Sequence, residues 1–240
     1  NTVAQIPVND NYDWDIDDSD RENNFNNVTN NTPIIVNPIF KLFFTNNHII
    51  VFDNKIQENS NLLQALNINT EETTNIEIGN FEESIKNKHR ELNNTYYTSH
   101  CSLDNVHVFA GGCNYNYDKF SVSDLVCFYM SGFNVWKTHK LYKARYMMNS
   151  SVDKYNSKFY FSGGIKKDGE FSKTIDVFNY GKNFKINNNE SWSQIKMDFE
   201  SRIFMNFHAD KDLLYFIGGF DGNEYSNKIN ICDVQNNQWK

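Results

Sequence analysis

An all-β fold, made by tiling copies of one small antiparallel sheet, is predicted for this chain by three observations. Glycine doublets recur at Gly111-Gly112, Gly163-Gly164 and Gly218-Gly219, spaced by 52 and 55 residues. Tryptophans follow in phase at Trp136, Trp192 and Trp239, spaced by 56 and 47 residues. Between them lie short apolar runs and polar turns with no helical period. A repeat of about 50 residues marks an array in which each unit buries its faces against its neighbours.

Residues 1–33 are dominated by Asn and Asp. Little there can bury, so a disordered tract or a segment between repeats is expected. Trp14 is either the outer-strand tryptophan of a preceding copy or a lone aromatic in an acidic arm. The run Asp13, Asp15, Asp17, Asp18, Asp20 fails as a calcium loop. Asp18 stands where the tight turn needs Gly, and Asn24 where the loop needs Glu.

Residues 34–90 read as a degenerate copy. Phe40 to Phe44 and His48 to Phe52 are strand candidates, followed by Asn61 to Asn69 and Thr74 to Ile78. Asp53-Asn54 replaces the glycine doublet, and Asn tolerates the left-handed region better than most residues. Glu82 to Glu91 is a short surface helix or a loop.

Three clearer copies follow, at 91–137, 138–193 and 194–240, the last one partial. Each opens on a five-residue run rich in β-branched and aromatic side chains: 106–110, 158–162 and 213–217. Such runs are strands. They do not alternate cleanly, which predicts cover on both faces. The doublets permit positive φ or close backbone approach. Asp168-Gly169 and Asp221-Gly222 are hairpin signals. A second strand is expected over 124–129, 174–178 and 228–232, then a turn and the tryptophan. Stacked sheets explain how 15% aromatic content coexists with a mean hydropathy of −0.66, because each ring buries about 150–250 Å².

These doublets, strands and tryptophans resemble the kelch family of β-propellers over roughly 97–240. The resemblance implies an all-β, kelch-type propeller of four-stranded antiparallel blades. It places the strand before each doublet second from the channel and the tryptophan strand outermost. Kelch propellers are usually six-bladed, and propellers need about four to eight blades. An incomplete ring is therefore expected here, with other blades or flanking domains outside this sequence.

A net charge of −7 and a pI near 5.4 argue against a nucleic-acid groove, and no apolar stretch reaches the length of a membrane span. Cys101, Cys113, Cys127 and Cys232 form no C-x-x-C pair, so buried thiols in the reducing cytoplasm are expected. A zinc site from His100, Cys101, His107 and Cys113 fails, because strand neighbours His100 and Cys101 point to opposite faces. No nucleophile elbow, phosphate loop or metalloprotease motif is present. No catalytic residue, metal or cofactor is therefore assigned, although a few kelch proteins are oxidases or carry a fused enzyme such as a phosphatase.

What remains is a binding surface. Arg90, Arg145 and Arg202 stand at comparable places before the inner strand of a blade. In several kelch binding domains arginines at the channel mouth contact acidic peptides; the alternative is an arginine that bonds a neighbouring blade's carbonyls. Arg145 and Arg202 are the candidate anchors, with the turn residues Tyr115, Tyr117, Asp168 and Tyr225 beside them. Loops on a rigid scaffold carry most recognition, and Tyr and Arg are favoured anchors. The expected function is a non-catalytic scaffold or adaptor that binds a protein partner.

Overall fold

The computed structural model describes residues 41–44, 48–52, 62–67, 69–71, 73–77, 95–116, 119–130, 135–180 and 192–240. Trp14, the acidic run, Arg90 and Tyr117 lie outside the described residues, as do the expectations for 1–33 and 82–91. Among the described residues the chain is all-β with no helix. Among those residues no helix is long and apolar enough to cross a membrane.

Four four-stranded antiparallel sheets follow one another along the chain. Sheet one holds β1 (Lys41–Phe44), β2 (His48–Phe52), β3 (Leu62–Asn67) and β4 (Thr73–Glu77). Sheet two holds β5 (Ser99–Leu103), β6 (Val106–Ala110), β9 (Leu125–Met130) and β10 (Val135–Lys140). A ribbon of β7 (Cys113–Asn116) and β8 (Lys119–Val122) is inserted between β6 and β9. Sheet three holds β11 (Asn149–Asp153), β12 (Lys158–Ser162), β13 (Thr174–Asn179) and β14 (Trp192–Lys196). Sheet four holds β15 (Asn206–Asp210), β16 (Leu213–Ile217), β17 (Ile229–Asp233) and β18 (Gln238–Trp239). The strands before the doublets coincide with the predicted runs, because the glycines end each one.

Sheets two, three and four lie face to face. One side of sheet three packs Phe159, Phe161 and Phe178 against Val108, Val126 and Phe128 of sheet two. Its other side packs Tyr160, Ile175 and Val177 against Phe207, Leu214 and Phe216 of sheet four. Cover on both faces is what removes the alternation from β6 and β12. Sheet four departs from that expectation: Phe207 and Ala209 are buried, while Asn206, His208, Ile217 and Ile229 are exposed. Each tryptophan stands over the equivalent phenylalanine, with Trp136–Phe109, Trp192–Phe161 and Trp239–Phe216 centroids 6.4, 6.1 and 5.7 Å apart.

The first strands stand side by side, with β11 between β5 and β15. Ala209 N–H donates to Ser151 Oγ at 2.9 Å. Buried Asp153 accepts from Asp212 N–H at 3.1 Å. Burial pushes the Asp153 carboxyl up, but hydrogen bonds from Asp212, Asn156 and Tyr155 outweigh it and hold it below its usual range.

The glycine doublets adopt φ of 65° and 109°, 64° and 85°, and 66° and 98°. The second glycine of each pair is also sterically required. A Cβ on Gly112, Gly164 or Gly219 would stand 2.8, 2.7 or 2.9 Å from the carbonyl oxygen of Tyr96, Tyr146 or Ile203.

Candidate functional site: an arginine hub beneath a rim cleft

Arg145 enters from the connection between sheets two and three. Its backbone belongs to sheet two: its N–H donates to Ser123 O at 3.2 Å, and its carbonyl accepts from Gly112 N–H at 2.9 Å. Its side chain belongs to sheet three. Nη1 reaches Gly163 O at 3.1 Å, Ser172 Oγ at 3.0 Å and Thr174 O at 2.9 Å. Nη2 pairs with Asp176 Oδ2 at 2.9 Å, both side chains being 0% exposed. Asp176 also accepts from Tyr142 N–H at 3.2 Å and Gln194 Nε2 at 2.7 Å. Burial pulls the Arg145 guanidinium down from its usual value, and the Asp176 carboxylate pushes back. A charge pair this enclosed is tolerable because Nη1 and both Asp176 oxygens make further hydrogen bonds, although the buried Nε finds none.

Arg202 makes the same crossing from sheet three to sheet four. Nη1 donates to Ser226 Oγ at 2.7 Å, and Nη2 bonds Asn230 Oδ1. Its guanidinium lies 4.8 Å from the Phe199 ring centroid. Burial pulls this group down too, opposed by Asp221.

The repeat fixes the correspondence. Bridges Tyr96–Cys113, Tyr146–Ile165 and Ile203–Phe220 are equivalent, so Thr95 stands where Arg145 and Arg202 stand. Across the ladder, Cys127, Asp176 and Asn230 face Phe109, Phe161 and Phe216. Sheet two therefore carries Thr95 and Cys127 in place of the arginine and its acceptor.

Both arginines are buried, at 0% and 4% exposure. This corrects their assignment as anchors: a side chain spent on the neighbouring sheet's backbone and polar groups cannot reach a partner. Arg90 lies outside the described residues; in sheet two the equivalent place is held by Thr95. Sequence reading missed Asp176, whose signal was a carboxylate in the middle of an apolar strand.

Above the hub lies an open cleft of about 1200 Å³. One wall is the connection carrying Tyr142, Lys143 and Ala144; the other is the β12–β13 loop from Lys166 to Lys173, with Gln194 at the edge. The hub holds this cleft from below, since Tyr142, Ser172, Thr174 and Gln194 all bond Arg145 or Asp176. Asp168 lines the cleft, is exposed, and caps its turn by accepting Glu170 N–H at 3.0 Å. Tyr225 is 81% exposed on the next blade's corresponding loop, its ring 5.0 Å from Phe220. Tyr115 lies in β7 opposite Phe120, so the expected polar turn is here a strand ribbon.

Connections between sheets and loops after the doublets emerge at one rim. Tyr97, Met147 and Phe204, at equivalent places there, have φ of 53°, 54° and 54°. Non-glycine residues rarely hold this left-handed conformation. Among the described residues no three His, Cys, Asp or Glu converge as a metal site.

Four-stranded antiparallel sheets laid face to face, first strands together and tryptophan strands outward, define blades of a β-propeller. In comparisons with known proteins, no family model and no curated protein matches the chain. A solved structure described as "Structure of YjhT" matches with a TM-score of 0.57 and 12% identity over 85% of this chain. The match spans 64% of that structure's chain; at this identity the likeness concerns the fold alone.

Proposed function

We propose that the chain is a kelch-type propeller segment acting as a protein-interaction module, without catalysis of its own. It serves as a substrate adaptor, of the ubiquitin-ligase kind, or as a subunit of a larger assembly. The observation that carries this reading is the composition of one rim. Tyr142, Phe204 and Tyr225 stand there at 52, 63 and 81% exposure. Large rings held outward on braced loops supply contact area with little entropy left to lose. Left-handed backbone at exposed Tyr97 and Phe204 is strain of the kind that clusters at ligand clamps. The four cysteines, buried and free of disulfides, support an intracellular, reducing compartment.

The test is site-specific photo-crosslinking in the source cells. A crosslinking residue at Asp168 or Tyr225 is expected to trap a discrete protein partner. The same residue at Tyr155, on the opposite rim, is expected to trap none. Equal trapping at all three positions, or none at any, overturns the reading.

A further inference from the structure

We infer that the inner edge of the rim, where the connections between sheets run into the first strands, receives an uncharged, proline-rich peptide segment; this deepens, and rests on, the rim-binding reading. The stretches 95–103, 146–152 and 203–209 that form this edge contain no Lys, Arg, Asp or Glu. Although 22% of the chain is charged, these stretches give an ionised ligand nothing to pair with. What they present is apolar. Tyr97 and Phe204 are 55 and 63% exposed, and Met147, at the equivalent place of the intervening junction, is half-buried. The Tyr97 ring lies 6.5 Å from Tyr146, which Phe120 meets edge-on at 5.6 Å. Tyr97, Met147 and Phe204 all hold left-handed backbone. Core packing does not offset that strain, since two of the three side chains are exposed; strain of this kind clusters at ligand clamps.

The supply of hydrogen bonds selects the kind of segment. The carbonyls of this edge are already taken. Those of Tyr96, Tyr146 and Ile203 accept from Cys113, Ile165 and Phe220 N–H at 2.9, 2.8 and 2.9 Å, and that of Tyr97 accepts from Met147 N–H at 3.2 Å. An ordinary extended peptide brings one N–H per residue. Covering an edge so poor in acceptors would leave those donors buried and unpaired. Proline has no N–H, so a proline-rich segment lies there and strands few donors. Its carbonyls need donors in turn. Asn149, at the start of β11, holds one: its Nδ2 is shut from solvent and donates to no described residue. Aromatic rings are the usual lining for such segments, whose polyproline II form is extended before binding and has little entropy to lose. An oligosaccharide fits less well, because Phe204 offers its hydroxyls no hydrogen bond and Met147 only a weak one.

The experiment uses the full 240-residue chain and a fluorescein-labelled peptide of repeated Ala-Pro-Pro, read by anisotropy. Saturable binding is expected, little changed as salt rises and absent for the peptide with Gly in place of Pro. The double variant Tyr97→Asn/Phe204→Asn should weaken it by about tenfold or more, since aromatic anchors carry most of such an interface. Asn tolerates left-handed backbone better than most residues, so the variant keeps its fold, which circular dichroism and thermal unfolding verify. In the unsubstituted chain the Met147 methyl resonance should shift as peptide is added, while that of buried Met130 stays in place. Tyr155→Ala, on the opposite rim, should leave binding unchanged. Absent binding, equal binding of the Gly peptide, indifference to the double variant, a silent Met147 methyl, or loss of binding in salt overturns the proline-rich assignment. So does tighter binding of cellohexaose or of a Glu-rich peptide. A crosslinked partner at Asp168 or Tyr225 together with no binding of the proline peptide would defeat this inference and leave the rim reading standing.

Discussion

The Arg145 and Arg202 junctions occupy one place in successive blades and use different chemistry. At the first, a fully enclosed guanidinium faces a fully enclosed carboxylate. At the second, the guanidinium faces the neutral acceptors Ser226 and Asn230 and a phenyl ring. At these two junctions an arginine crosses from blade to blade whether or not a carboxylate answers it. What the carboxylate adds is reach. Asp176 also binds Tyr142 and Gln194, so the charged junction organises a cleft, whereas the neutral one joins sheets.

Removing each arginine separates these roles. Arg145→Leu strands a buried carboxylate and should cost about 3–5 kcal/mol, read as a lower urea midpoint. Arg202→Leu leaves behind neutral hydrogen-bond acceptors and Asp221, which solvent still reaches, and should cost about 1–3 kcal/mol. Equal losses would mean that the Asp176 charge does not distinguish the junctions.

The third junction, with Thr95 and Cys127, belongs to a blade that titrates differently. His100 and His107 lie in sheet two. Burial lowers both to about 4, and for His107 the neighbouring His100 adds to the effect. Unfolded histidine titrates near 6.5, so between about 6.5 and 4 the unfolded chain binds more protons. Stability should fall as pH drops through that window. His107→Phe should flatten the fall in urea midpoints taken at each pH, and an unchanged slope would refute the assignment.

The smallest effect converts one junction toward the other. Asn230→Asp gives Arg202 a carboxylate and should raise stability by about 1 kcal/mol at neutral pH. A carboxyl beside a guanidinium has a depressed pKa, so this gain is present above the usual carboxylate range. It disappears as pH falls through the depressed value. A gain that persists at low pH would show that charge is not its source.

The sequence carried much of this fold because the doublets and tryptophans are backbone and packing requirements, repeated where the geometry repeats. The strands at 158–162 and 213–217 were legible for that reason. The arginines were visible as a recurrence, but not their burial, since their acceptors lie 31 and 28 residues downstream across loops of unequal length. The exposed face of sheet four was hidden as well, because Leu213 to Ile217 reads as apolar whether one side is covered or two.

The doublets and arginines together act as links in a single relay. Gly112 holds the Arg145 carbonyl, Arg145 grips the Gly163 carbonyl, and Gly163 lies against the carbonyl of Arg202, which grips Ser226. Sheets two and three are thus each latched to the sheet that follows at the same corner, by backbone as well as by side chain. In a linear array, coupling between neighbours governs how far disorder spreads. Loosening any one corner here also loosens the next, so the blades gain order in company.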